Sequence, residues 1–369
     1  MPGPVPIVYV SNGRGGTVTA IDTVTGTAGA PVPVGPGPGL IAITPDGKTA
    51  YVTTGDPVVV PIATATSTAG PPIRVGAAGP GFRDHPVAIA ITPDGRTAYV
   101  ASIMSGTVTP IDTATNMPGE PVKVGVRPRA IVITPDGKTA YVVSQSRAQP
   151  PPWHAELPRP EPDARGTVTP IDTATNTAGE PIDVGNEPLA ITITPDGRTV
   201  YAANTYDAAS GPCTVTPIDT ATNTPGAPIP VGRGPWAFAL TPDGKTAYVA
   251  NLESGTVTPI TTQTSTPGPP IPVGDGPRSI AITPDGKTAY VASWLTGTVT
   301  PIVIATSAPG LPIPVGEGAR GVVITPDGRT AYVAVWGEPG VVVPITIATN
   351  APGPPIQVGH GPSAIAITP

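Results

Sequence analysis

The string T-P-D-G-(K/R)-T-(A/V)-Y begins at Thr44, Thr92, Thr134, Thr194, Thr241, Thr283 and Thr325, at intervals of 48, 42, 60, 47, 42 and 42 residues. A fixed period of about 42 residues describes small supersecondary units that bury their apolar faces only against one another. The period also overrules the composition. With 56 Pro and 45 Gly among 369 residues, an aperiodic chain would read as low-complexity and disordered. Prolines fall every few residues along the whole length, and each removes a helical hydrogen bond and clashes with the preceding turn. Long helices are therefore excluded, and the chain is strand and turn.

Each unit reads as four short strands. The first is apolar, as in Ala88 to Thr92, and runs through T-P-D-G into a second, as in Thr97 to Val100. Pro fits the first central position of a type I turn, Asp the second, and Gly the left-handed residue that closes the hairpin. The third strand is T-V-T-P-I-D, as at Thr107 to Asp112, and the fourth is the proline-spaced P-I-P-V-G, as at Pro228 to Gly232. Missing N–H groups suit an outer edge that must not recruit another sheet. Pro110, Pro170, Pro217, Pro259 and Pro301 lie inside the third strand, where a bulge or a wide, unpaired ladder position is expected.

Counting strands sets the number of units. The tyrosine of the second strand occurs eight times, at Tyr9, Tyr51, Tyr99, Tyr141, Tyr201, Tyr248, Tyr290 and Tyr332. The first unit lacks its own first strand, and the surplus copy is Ala364 to Pro369. The expected fold is all-β: an eight-bladed β-propeller of four-stranded antiparallel blades, its ring closed by the C-terminal strand joining the N-terminal blade, so that no open sheet edge remains. The blades of this single domain (1–369) are 7–35 plus 363–369, 40–76, 87–125, 129–185, 189–232, 236–274, 278–316 and 320–359.

The motif A-I-A-I-T-P-D-G-K-T-A-Y-V-A-N followed by G-T-V-T-P-I-D-T resembles the YVTN-type β-propeller repeat of bacterial and archaeal surface-layer and periplasmic proteins, which is similar to heme d1-domain and lactonase-like propellers. The resemblance covers essentially the whole chain. Such relatives usually have seven blades, whereas eight units are present here. The resemblance implies an extracytoplasmic or cell-surface setting, although the sequence opens Met1-Pro2-Gly3-Pro4 with no secretory signal, and no run of eighteen apolar residues occurs. It implies varied partners rather than one reaction. Asn204 and Asn251 occupy the N position of the motif and read as backbone-bonding turn residues.

In such propellers the first strand lines the channel and the fourth lies outside, so one-to-two and three-to-four turns share one face. The T-P-D-G turns and the D-T-A-T-N-T connections hardly vary in length. The insertions, 76–86, 144–166 and 204–214, fall on the opposite face and should form an asymmetric lid there. All four tryptophans (Trp153, Trp236, Trp294, Trp336), all three histidines (His85, His154, His360), Cys213, Tyr206 and Phe82 fall in or beside the loops of that face. Aromatic and histidine residues on variable loops over a rigid scaffold are the usual makings of a binding surface, or else pack the loops themselves.

Ten of the 19 basic residues belong to the loop face, and all ten are arginine, which grips carboxylate or phosphate bidentately. The net charge of −6 gives no global attraction to nucleic acid. The position just before each first strand should ring the channel mouth. Around the ring it reads Gly39, Val87, Arg129, Leu189, Trp236, Arg278, Arg320 and Ser363. Arg278 with Asp275 and Arg320 with Glu317 are alternatively internal ion pairs.

The first functional reading is a non-catalytic, monomeric binding propeller that holds a small anionic or aromatic molecule, or a partner protein segment, at this mouth. Its expected ligand residues are Arg129, Trp236, Arg278, Arg320, Trp294, Trp336, His85, Trp153 and Tyr206. No cofactor, metal, nucleic acid or membrane insertion is expected; one cysteine forbids an internal disulfide. The alternatives are a lyase or hydrolase using the same pocket with His85 or His154 as base, and a structural cell-surface module. Asp84 beside His85 could orient an imidazole, but no nucleophile stands next to either histidine.

Overall fold

A computed structural model describes residues 5–76, 84–145, 165–205 and 213–369. Eight antiparallel sheets form a ring, and no helix occurs among the described residues. In the third blade the inner strand Pro86–Ile91 pairs with Thr97–Ser102, which pairs with Thr107–Asp112. The outer edge is not one strand. It splits into Met117–Pro118 and Val122–Lys123, both paired with Thr107–Asp112, and every other blade is split in the same way.

The split has its cause in the proline of the third strand. Tyr99 opposes Pro110 with no shift of register, so the bulge expected in this strand does not form. The carbonyl of Pro110 accepts from Gly119 N at 2.8 Å, so in this antiparallel ladder its hydrogen-less nitrogen also points outward. The missing donor is thus on the outer side, where the outer strand is interrupted. Gly119 crosses directly over the ring: a Cβ there would lie 3.1 Å from Pro110 Cγ. The same glycine-on-proline contact recurs at Gly179 on Pro170, Gly226 on Pro217 and Gly268 on Pro259.

The T-P-D-G turn is held as its residues dictate. Gly47 N donates to Thr44 O at 2.8 Å with Gly47 at φ +70°, and Asp46 Oδ1 accepts from Thr44 Oγ1 and from Lys48 N at 2.6 and 3.0 Å.

Closure follows the strand count. Pro362–Ile367 is the inner strand of the first blade, with Val8 opposite Ile367 and Ser11 opposite Ala364. Thr368 reproduces the turn bonds without a covalent turn: its N–H donates to Ile7 O at 3.0 Å, and Ile7 N donates to its hydroxyl at 2.8 Å.

The core lies between blades. Tyr51, Val59 and Ile73 of the second blade pack with Ala98, Val100 and Ile111 of the third, while Tyr99 and Ala101 face Val142 and Ile171 of the fourth. Strand alternation therefore gives each sheet two buried faces. A polar bond also crosses each of several seams. The Tyr51 hydroxyl donates to Asn116 Oδ1 in the next blade at 2.7 Å, as Tyr99 does to Asn176, Tyr141 to Asn223 and Tyr290 to Asn350.

Asn116 has φ +58°, a conformation asparagine tolerates better than most residues. Asn116→Ala is expected to lose both that tolerance and the bond to Tyr51, destabilising by about 1–3 kcal/mol. Asn116→Gly should lose only the bond, at about 1 kcal/mol. Urea midpoints of the two variants check the order; equal midpoints would show that backbone conformation contributes nothing there.

Asn204 and Asn251 are not backbone-bonding turn residues. Each is buried, and Asn204 Nδ2 donates to Thr214 Oγ1 and Thr216 Oγ1 at 3.1 and 3.0 Å, tying the second strand to the third. Asn251 does the same with Thr256 and Thr258.

Candidate functional site

The ring of positions before the inner strands has a structural identity that the sequence did not disclose. In seven of the eight blades it is a β-bulge. Pro277 opposes Ser293 and Ser279 opposes Ala292, leaving Arg278 with no partner across the ladder. Val87, Arg129, Leu189, Trp236, Arg320 and Ser363 are the extra residues of the other six. In the remaining blade the inner strand begins only at Ile41. A bulge bends its strand and re-aims one side chain, the arrangement often found at barrel rims and beside active sites. The bulges fall at the loop-face end of the inner strands, opposite the T-P-D-G turns.

Two tryptophans reach this rim from the two-to-three loops. Trp294 N donates to Gly276 O at 2.8 Å and Trp336 N to Gly318 O at 2.9 Å, which fixes both loops against the entries to the inner strands. Their rings lie 5.9 Å apart, tilted by 55°. The guanidinium of Arg278 stands between Trp236 and Trp294, its central carbon 4.6 and 5.3 Å from the two ring centres. Arg320 lies 5.2 Å from the Trp294 ring. Arg14, from the first blade, completes the row at 4.5 Å from Trp336. Five of the expected ligand residues are thus assembled into one half-buried cluster, with Arg14 added.

Arg14 escaped sequence reasoning because its loop is at the opposite end of the chain. Ring closure, with Gly13 N donating to Gly361 O at 2.8 Å, brings it beside the eighth blade.

Charge is distributed unevenly around the mouth. Arg14 is ion-paired with Glu338, whose carboxyl is held below its usual pKa by that contact. Arg233 lies 3.4 Å from Glu253. On the far side, burial lowers the pKa of Arg129 and the charge of Arg127 lowers it further, while Glu187 opposes both. Glu187 is itself pushed up by burial and held back by those two arginines. Arg278 and Arg320 differ. Among the described residues neither forms an ion pair, so the alternative pairs with Asp275 and Glu317 do not occur. Burial lowers the pKa of both, and the charge of Arg320 lowers that of Arg278 further.

The other expected ligand residues are elsewhere. His85 is half-buried at the entry to the third blade, its carbonyl accepting from Ile103 N at 3.2 Å. Buried Asp84 directs Oδ1 to the backbone N–H groups of Met104 and Ser105, at 2.9 and 3.2 Å. Trp153, His154 and Tyr206 lie outside the described residues, as do Phe82 and most of the three insertions. Among the described residues, no three His, Cys, Asp or Glu side chains group as a metal site, and no helix is long and apolar enough to cross a membrane. A cleft of about 350 Å³ opens between the outer parts of the fourth and fifth blades, lined by Arg165, Asp183, Cys213 and Thr216 and by none of the arginines or tryptophans of the rim cluster.

The fold and mouth define an eight-bladed β-propeller with an arginine- and tryptophan-lined rim. Residues 115–269, from the third blade into the sixth, match the family described as Lactonase, 7-bladed beta-propeller. No curated protein sequence matches the chain. Among solved structures, hydrazine synthase of Kuenenia stuttgartiensis is similar at TM-score 0.64 and 22% identity, over 87% of this chain and 95% of that one. Dihydro-heme d1 dehydrogenase NirN, in complex with DHE, is similar at TM-score 0.71 and 17% identity, over 98% of this chain and 74% of that one. A functionally unknown protein from Desulfotomaculum acetoxidans is similar at TM-score 0.60 and 16% identity, over 98% of both chains. The ring has one blade more than the matched family's description. At these identities the solved structures speak to fold alone.

Proposed function

We propose that the protein is a binding propeller whose loop-face mouth takes a small anionic or aromatic molecule. One observation carries this reading: Arg278 and Arg320, half-buried against Trp236 and Trp294, have no ion-pair partner among the described residues. Two cations withdrawn from water and left side by side are unfavourable unless something compensates. Neighbouring indoles supply part, each cation–π contact contributing about 0.5–2 kcal/mol. An anion would supply the rest.

The match of residues 115–269 to the lactonase family favours a second reading, in which the same mouth opens a cyclic ester and the arginines hold the carboxylate that forms. Here His85 or His154 is the candidate base.

The test is a thermal-shift and calorimetric screen of small carboxylates, phosphates, aromatic acids and lactones against the intact chain and the R278A/R320A double variant. The wild type is expected to bind at least one anionic or aromatic compound, and the variant to bind it about tenfold or more weakly while its own melting temperature changes little. Acid release from a lactone would favour the enzyme. A panel in which nothing binds the wild type would overturn both readings of the mouth.

A further inference from the structure

We infer that the mouth holds a compact dianionic oxyanion, a phosphate group, by the guanidinium edges of Arg278 and Arg320, and that the tryptophans are walls of the site rather than a platform on which a planar ligand stacks. This narrows the proposed function and rests on it.

Each indole of the cluster already has a neighbour. Trp236 has Arg278 at 4.6 Å, Trp294 has both Arg278 and Arg320, and Trp336 has Arg14 as well as the tilted ring of Trp294. A flat ligand stacking on Trp294, between the other two indoles, would have to displace these contacts. The guanidinium groups are unsatisfied in the opposite sense. A guanidinium carries five N–H donors in its own plane, and among the described residues neither Arg278 nor Arg320 donates one within the protein. The aromatic neighbours satisfy the cation but no N–H group. What the pair lacks is a set of acceptor oxygens.

Charge selects the class of acceptor. Arg14 and Arg233 have Glu338 and Glu253, and Arg129 has Glu187 nearby. Arg127 shares that one carboxylate with Arg129, so a positive charge remains there too; Arg278 and Arg320, on neighbouring blades and at equivalent bulges, stand together with no acidic partner among the described residues. Two fixed guanidinium forks match a phosphate dianion, which offers several strong acceptor oxygens, better than a single carboxylate. Whether the phosphate is free or esterified is a question of what else fits the mouth.

Tryptophan fluorescence and calorimetry on the intact chain, with inorganic phosphate, methyl phosphate and benzoate as probes, test this. At pH 8 phosphate or its monoester should bind, free phosphate alone marking an inorganic ligand and the ester a phosphorylated one. Affinity should fall at pH 5, because a phosphate monoester, with a second pKa of about 6, is a monoanion there, as is inorganic phosphate, whose second pKa is higher. Arg278→Ala and Arg320→Ala should each weaken binding about tenfold or more, Arg278→Lys less, and Arg233→Ala not at all. Melting curves confirm that each variant is folded, and the lysine variant keeps the charge if an alanine variant is not. Benzoate binding with no phosphate binding would overturn the dianion site and leave the proposed function standing. No binding of any probe or of the wider panel would end both. Phosphate binding that the arginine variants leave unchanged would place the anion elsewhere and overturn the inference.

Discussion

A chain ended at Gly361 is expected to accumulate as aggregate rather than as a folded monomer. The lost segment is the inner strand of the first blade, paired along Val8 to Asn12. Ile365 and Ile367 pack with Val8, Val10, Ile21, Tyr332 and Val342 in the core that joins the last blade to the first. Burying an isoleucine contributes about 1.5–3 kcal/mol, and the ladder of the closing strand goes with the two side chains. The loss is on the order of 5 kcal/mol, comparable with the whole stability of many domains. It also leaves the apolar strand Ile7–Asn12 with an open edge, a template for pairing with another chain. Soluble yield and size-exclusion profile measure the outcome. A circular permutant provides the control: Asp-Gly inserted between Pro369 and Pro6 restores a T-P-D-G turn, and new termini open between Gly47 and Lys48. It should fold, because Thr368 already makes across the termini the bonds that Thr44 makes to Thr49. A truncated chain that stays monomeric with an unchanged melting temperature would show that closure contributes little.

Blade number, turn geometry and the identity of the closing strand were legible in the sequence, because each depends on residues adjacent in the chain or repeated at a fixed period. T-P-D-G specifies its turn through its own side chains, and eight tyrosines count eight blades. The place of the bulge was misread. The third-strand proline suggested a bulge or an unpaired ladder position; the register holds, and the missing donor faces the interrupted outer strand. The bulge occurs instead in the inner strand, and a signal for it was present: Pro86, Pro128, Pro188, Pro235, Pro277 and Pro362 each immediately precede the extra residue.

The mouth was legible in part. Trp236, Arg278 and Arg320 hold the same position in successive repeats, so a closed ring makes them neighbours. That Arg278 would lie between two indoles instead of pairing with Asp275, three residues away, depends on where the bulge aims it. Period and spacing carry no information on that direction. Arg14 and its pairing with Glu338 depend on the closure of a chain 369 residues long, and no local pattern records it.

Stability is expected to collapse between pH 10 and pH 12, with the second-strand tyrosines as the cause. All eight are buried and all have a raised pKa, with burial the main cause; Tyr51 and Tyr99 are pushed up to about 12, with Asp112 adding to the first and Asp172 and Asp94 to the second. A group whose folded pKa lies above its unfolded value of about 10 gives its full stability below pH 10, where both states are protonated. Above that the unfolded chain loses its phenolic protons and the folded chain does not. Each pH unit then favours unfolding by about 1.4 kcal/mol per tyrosine. For Tyr51 and Tyr99 alone that amounts to about 5 kcal/mol at pH 12, enough to unfold a domain of ordinary stability. Ionisation would also break the donated bonds to Asn116 and Asn176, which only a protonated hydroxyl can make. Urea midpoints across this range, with tyrosinate absorbance followed on the same samples, should show phenol ionisation and unfolding as one transition. Tyr51→Phe should flatten the alkaline slope while lowering stability at neutral pH by about 1 kcal/mol through the lost bond. Tyrosines that ionise near pH 10 in a protein that stays folded would mean that the blade interfaces admit water, and that the seams are held by their apolar contacts alone.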